Sequence, residues 1–161
     1  MPIVWPARYA PERVAAHVSN EITVAAPAEI VWAWLIRAVD WPAWYPNSAG
    51  VRIAGGDRDL GPGAEFTWRT FGVKVACTVQ EFEPYSRIAW HGVGVLIDIY
   101  HAWLIEPREG GCHVLTEEGQ NGLGARAQAL FMPERMFNGH ALWLDRLRAR
   151  AEAGPPPPGN H

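Results

Sequence analysis

The sequence predicts an α+β fold in which a curved, seven-stranded antiparallel sheet wraps around a long C-terminal helix. Two observations lead to it. Residues 51–119 read throughout as strand and turn, punctuated by Gly55-Gly56, Gly61-Pro62-Gly63, Phe71-Gly72, Glu83-Pro84-Tyr85-Ser86 and Gly110-Gly111. Six strands fit between those marks, and a seventh precedes them at His17–Val24. Residues 121–153 then change to helical periodicity and stop at Gly154 and the Pro155–Pro158 run.

Residues 1–16 carry Pro2, Pro6 and Pro11 among few periodic apolar positions and read as an extended arm, with no function assigned. Residues 17–153 are expected to form the domain, followed by a tail, 154–161, disordered or in polyproline II form. His17–Val24 alternates, with Val18, Ile22 and Val24 on one face and Ser19, Glu21 and Thr23 on the other, as a half-buried strand does. Pro27 suits a first helical turn, and Ile30, Val31, Trp34 and Leu35 recur at helical spacing up to about Val39. A second short helix is expected from Asp40, its cap, to Pro46, which stops it, with Trp41 and Trp44 on one side.

Side-chain parity fixes which strand face is apolar. A two-residue turn at Phe71-Gly72 pairs Trp68 with Val75 and Phe66 with Cys77, leaving Glu65, Thr67, Arg69, Lys74 and Thr78 on the other face. A two- or four-residue turn at Pro84 sets Val79 opposite Trp90 on the same apolar face. In the last hairpin, an even turn near Gly110-Gly111 gathers Ile97, Ile99, His101, Trp103 and Ile105 with Val114, Thr116 and Glu118. Four turn residues put His101 opposite Glu118; two put Trp103 there, with His101 diagonal. In the C-terminal helix Leu123, Leu130, Phe137, Ala141, Leu144 and Leu147 form the expected buried stripe, and Pro133 is expected to kink or break it.

At 161 residues one domain with a sizeable core is expected. The net charge of −3, with 14 Lys+Arg against 17 Asp+Glu and no basic block, gives no footprint for nucleic acid or an anionic membrane. No apolar run is long enough for stable membrane insertion, and the N-terminus does not read as a signal peptide, so a cytoplasmic location is expected. Cys77 and Cys112 lack zinc-ligand spacing and are expected as separate thiols. Gly61-Pro62-Gly63 and Gly92-Val93-Gly94 lack a phosphate-binding helix, and Ser19, Ser48 and Ser86 lie in no nucleophile elbow, so no cofactor and no acyl-transfer chemistry are expected.

The order of elements, with the segments Ile22–Trp34 (ITVAAPAEIVWAW), Asp40–Pro46 (DWPAWYP), Leu60–Trp68 (LGPGAEFTW), Val79–Trp90 (VQEFEPYSRIAW), Tyr100–Pro107 (YHAWLIEP) and Leu144–Arg148 (LDRLR), resembles the START-like helix-grip (SRPBCC) superfamily in its polyketide cyclase/dehydrase-like branch. The resemblance covers about residues 17–152. It implies a hydrophobic cavity between sheet and helix, used by relatives for lipids, polyketides, hormones or hydrophobic metabolites. No catalytic motif carries over residue by residue, so the site must be argued from its own residues.

The expected ligand wall comprises Trp34, Trp41, Phe66, Trp68, Val75, Cys77, Trp90, Ile99, His101, Trp103, Thr116, Glu118, Leu130 and Phe137. Tight packing of those aromatics onto Leu130 and Phe137 would instead fill the space. His101 and Glu118 are the polar exceptions, readable as a general base with its orienting carboxylate or as a hydrogen-bonded pair that fixes the strands. His140 shares a helix face with Met136 and Trp143 and is a further candidate for the cavity mouth. His91, His101 and His113 do not converge, because His113 has opposite parity to His101, so no metal is expected. The first functional expectation is therefore the binding of a hydrophobic small molecule. A polyketide cyclase/dehydrase-type enzyme using His101 and Glu118 is the alternative, and a protein-interaction module is favoured if the core is filled and an apolar patch lies outside. Oligomeric state is left open.

Overall fold

All seven expected strands form and assemble into one antiparallel sheet in the order β1-β7-β6-β5-β4-β3-β2. The structure, a computed structural model, describes residues 2–158. The strands are β1 Ala16–Val24, β2 Ser48–Ile53, β3 Glu65–Thr70, β4 Val73–Glu83, β5 Arg87–Gly94, β6 Ile97–Arg108 and β7 Gly111–Asn121. Consecutive hairpins carry the chain from β2 to β7, and β1 returns to pair with β7. Helix α1, Ala28–Ile36, follows β1 with Pro27 at its N-cap. The second short helix is a 3-10 helix, Ala38–Ala43, and it begins before Asp40. Asp40 does not cap it; the carboxylate pairs with Arg58 at 3.0 Å.

The register matches expectation at each hairpin, twice by an unforeseen route. Phe71 and Gly72 both take positive φ, 49° and 78°, which gives the tight turn that pairs Trp68 with Val75 and Phe66 with Cys77. The connection after β4 holds three residues, Pro84–Ser86, an odd number that would turn Val79 away from Trp90. A bulge between Val79 and Glu81 restores the parity, and Val79 does face Trp90. The last turn is Glu109-Gly110, with Gly110 at φ 78°; it is two residues long yet centred one position earlier than Gly110-Gly111. The register is therefore the one expected from the longer turn, with His101 opposite Glu118 and Trp103 opposite Thr116.

The C-terminal helix differs more. It divides at Pro133 into α2, Leu123–Phe131, and α3, Arg135–Ala153. Proline removes a backbone donor and clashes with the preceding turn, and here it ends α2 outright. The break resets the phase of α3, so the expected stripe needs correction. Leu123 is exposed, Leu130 is 74% exposed and Phe137 51%, whereas Met136, His140, Trp143, Leu144, Leu147 and Ala151 face inward. Among the described residues, no helix is long and apolar enough to cross a membrane.

Eight of the nine tryptophans are buried, all but Trp5, and most pack on one another. Trp41 lies against Phe66, Trp68, Trp90 and Trp143 with ring centroids 5.1–6.0 Å apart. Trp143 stacks on Tyr45 at 4.6 Å and meets Trp103 edge-on at 4.9 Å. Cys77 and Cys112 are separate buried thiols, pushed up by burial to about 12 and about 11.

The N-terminal arm is ordered against the outer sheet face, where Tyr9, with Ile3, Trp5 and Val14, covers Ala89, Tyr100 and Ala102. Tyr9 donates to Asp98 at 2.6 Å, and Asp98 also meets Arg8 and His91. Gly119 is required for this fit, since a Cβ there would press on the Tyr9 carbonyl and Val14. The described part of the tail lies back on α1 rather than standing free: the Trp34 indole donates to the Gly154 carbonyl at 2.8 Å and Arg37 to that of Pro157 at 2.5 Å. The rest of the expected tail falls outside the described residues.

Candidate functional site

Three polar side chains meet on the inner face where β6, β7 and α3 converge. Strand parity places His101 beside Glu118, with Thr116 and Gln120 on the same face of β7. The phase of α3 brings His140 down onto them. His101 Nδ1 lies 2.9 Å and His140 Nε2 3.6 Å from the same Glu118 oxygen, Oε2. The two imidazoles stack at 4.7 Å, and Trp103 stacks on His101 at 5.4 Å. The surroundings fix each group further. Gln120 donates its amide to Glu118 Oε1. His101 Nε2 lies 2.7 Å from the Thr116 hydroxyl, which lies 3.3 Å from the Ala102 carbonyl.

Two proton arrangements satisfy this chain. In one, Thr116 donates to His101 Nε2, and Nδ1–H donates to Glu118. In the other, Thr116 donates to Ala102, Nε2–H donates to Thr116, and Nδ1 meets the carboxylate as an imidazolium. Burial pushes His101 down, against the Glu118 charge and hydrogen bond, which favour the imidazolium. Burial alone would raise the Glu118 carboxyl, but the His101 charge and hydrogen bonds from His101 and His140 outweigh it and hold it below the usual carboxylate range. The two groups titrate as one pair, in which Glu118 is held down by a protonated His101 while burial resists that same charge. Two polar atoms of the cluster, His140 Nδ1 and Gln120 Oε1, are buried and have no protein partner.

The cluster forms the floor of a recess between the β3–β4 hairpin tip, the start of β6, and helices α2 and α3. Trp68, Val73, Val75, Ile97, Ile99 and Trp143 make its apolar walls. Phe71 stands at the tip over Gly139 of α3, held there by Asn47 on its amide and Arg135 on its carbonyl and ring. Gln128 of α2 lies at the edge. The recess spans about 430 Å³ of space between atoms, with its mouth, but only about 30 Å³ admits the centre of a water molecule. That is enough for one or two waters, which need roughly 10–15 Å³ each. A roomier groove on the outer face, lined by Ala49, Arg52, Thr67, Arg69 and Lys74, has none of these buried titratable groups.

Residues 15–152 match the family described as polyketide cyclase/dehydrase and lipid transport. The chain belongs to that family. A polyketide cyclase/dehydrase-like helix-grip fold follows, and solved structures agree. A hypothetical protein of Helicobacter pylori is 33% identical, with 94% of this chain and 96% of that one covered and a TM-score of 0.88. An aromatase/cyclase of a Streptomyces species is 16% identical, with 85% and 93% covered and a TM-score of 0.68. A protein of Thermus thermophilus is 15% identical, with 86% and 98% covered and a TM-score of 0.71. At such identities the last two speak for the fold alone.

Against the family expectation of an open cavity, this polyketide cyclase-like protein has a largely filled interior. Of the residues expected to form the wall, Trp68, Val75, Ile99, His101 and Glu118 line the recess. Trp41, Phe66, Cys77, Trp90 and Trp103 are packed into the aromatic core instead, and Thr116 stands behind His101. Trp34 faces Trp44 and the tail. Leu130 points outward because α2 buries only Ala125, and Phe137 because α3 takes its phase from Trp143 after the break at Pro133. Sequence reasoning missed Phe71, Val73, Gln120, Gln128 and Trp143 and left His140 at the margin. Parity along β7 carried a signal for Gln120, two residues from Glu118.

Proposed function

We propose that this protein binds a small apolar molecule carrying one polar group, with the apolar part between Val73, Val75, Ile97 and Ile99 and the polar end on the His101, Glu118 and His140 cluster. The observation that carries this reading is that the recess joins apolar walls to buried polar groups, two of them without a protein partner. Entry of anything larger than water requires α2 and the Phe71 tip to move. Helix α2 suits that: it buries only Ala125 and is bounded by Gly122 at φ 103° and by Pro133. Val95, Leu96, Leu123, Leu130 and Phe131 leave apolar surface exposed on α2 and the neighbouring β5–β6 turn, where a hydrophobic ligand would arrive.

Titration with short-chain and single-ring apolar carboxylates or phenols is expected to change tryptophan emission, because Trp68 and Trp143 line the recess, and to raise the midpoint of thermal unfolding. Trp68→Phe should reduce the emission change without abolishing the thermal shift. A broad panel that moves neither signal would overturn the reading and favour the protein-interaction module, given the packed core and the exposed apolar side chains.

A second reading, a cyclase/dehydrase-type catalyst, is favoured by the direct contact of His101 with Glu118. With Nδ1–H on Glu118, His101 can accept a proton only at Nε2, so the Thr116 hydroxyl would pass its proton to Nε2 and take one from the bound molecule, while the carboxylate stabilises the imidazolium formed. On this reading His101→Gln is expected to cut turnover by about 10²–10⁴ while leaving ligand affinity within a few-fold. Full turnover in both His101→Gln and Glu118→Gln would exclude the pair.

A further inference from the structure

We propose that His101, Glu118 and His140 form a binding site for one divalent first-row transition cation, with zinc as the reference ion. The proposal is independent of the ligand reading above. Each of the three side chains offers one ligand atom, these atoms lie within 4.8 Å of one another, and all three residues are buried. Donors bound to zinc at about 2.0–2.1 Å lie roughly 3.3–3.4 Å apart at the tetrahedral angle. The observed separations to Glu118 Oε2, 2.9 Å from His101 Nδ1 and 3.6 Å from His140 Nε2, bracket that value. A two-histidine, one-carboxylate set with a further position toward the recess is the donor type that zinc and ferrous iron accept.

The surrounding groups point the same way. With the Thr116 hydroxyl hydrogen on Ala102, the Thr116 oxygen accepts Nε2–H of His101. In that arrangement Nδ1 is the ring nitrogen turned to Glu118 Oε2, and these are the two atoms a cation would bridge. Gln120 occupies the other carboxylate oxygen and so directs Oε2 at the histidines. Bonds of this kind, which set the tautomer and orientation of a ligating residue, typically change metal affinity by about 10–100-fold when removed. The recess supplies the remaining position, where water or the polar end of a bound molecule completes the shell.

The experiment is titration of chelator-treated full-length protein with Zn²⁺, and separately with Co²⁺, read by metal content after desalting, by thermal unfolding and by the visible Co²⁺ spectrum. One equivalent per chain is expected, with a higher unfolding midpoint and a low-symmetry Co²⁺ spectrum. His140→Gln should lose the equivalent, and His113→Gln, on the outer face, should keep it. Thr116→Val leaves all three ligands in place and should weaken binding by about 10–100-fold, so the proposal stays testable if a ligand variant fails to fold. Absence of a saturable equivalent in the wild type, or an equivalent held with unchanged affinity by both His140→Gln and Thr116→Val, would overturn it.

Discussion

Trp143→Ala is expected to lower stability by about 3–5 kcal/mol, the range for deleting a large buried aromatic and leaving a partly collapsed cavity. Trp143 is 1% exposed, stacks on Tyr45 and meets Trp41, Trp68, Trp103 and His101. It joins the core to the polar cluster, so few neighbours can move into the gap. A loss of that size is a large share of the roughly 5–15 kcal/mol that holds an ordinary domain together. Urea unfolding with an unchanged m-value checks it. A loss below about 1 kcal/mol would mean that the aromatic core is looser than its ring contacts indicate.

Glu118→Ala is expected to cost about 3–5 kcal/mol, because removing one member of a buried pair strands its partners. His101 Nδ1, His140 Nε2 and the Gln120 amide all point at that carboxylate. The double variant His101→Leu, Glu118→Leu should lose less than the two single changes added together, since exchanging both partners for apolar groups leaves fewer stranded polar atoms. Chemical unfolding of the three variants measures the coupling. Strict additivity would show that the pair contributes nothing as a pair.

The pairing of Trp68 with Val75 was legible in the sequence because Phe71-Gly72 fixes a local turn, and local turns set register. His101 beside Glu118 was legible as one of two registers, and the placement of a positive φ at Gly110 decides between them. Val79 opposite Trp90 came out as expected only because an odd loop and a bulge cancel, a compensation that parity along the chain does not reveal. His140 was harder still. Its approach to Glu118 depends on the phase of α3 after Pro133, which is set by how Trp143 packs into the sheet. The same phase error makes Phe137 read as core, and Leu130 reads so only if α2 runs on unbroken into α3. Whether nine tryptophans would enclose a cavity or fill it was also illegible, because free volume depends on how the rings interlock in three dimensions. The arm over Tyr100 gave its cue only at Gly119, whose missing side chain makes sense once Tyr9 is seen above it.

The recess above His101, Glu118 and His140 is the place we propose for the small molecule. Native mass spectrometry of the protein purified from its source tests it most directly, alongside Val73→Phe, which puts a larger side chain at the recess wall. The wild type is expected to carry an added mass of a small apolar molecule, released on mild activation, and Val73→Phe to carry none while remaining folded. A wild-type spectrum with no added small-molecule mass, or the same mass retained equally by folded Val73→Phe, would contradict the account.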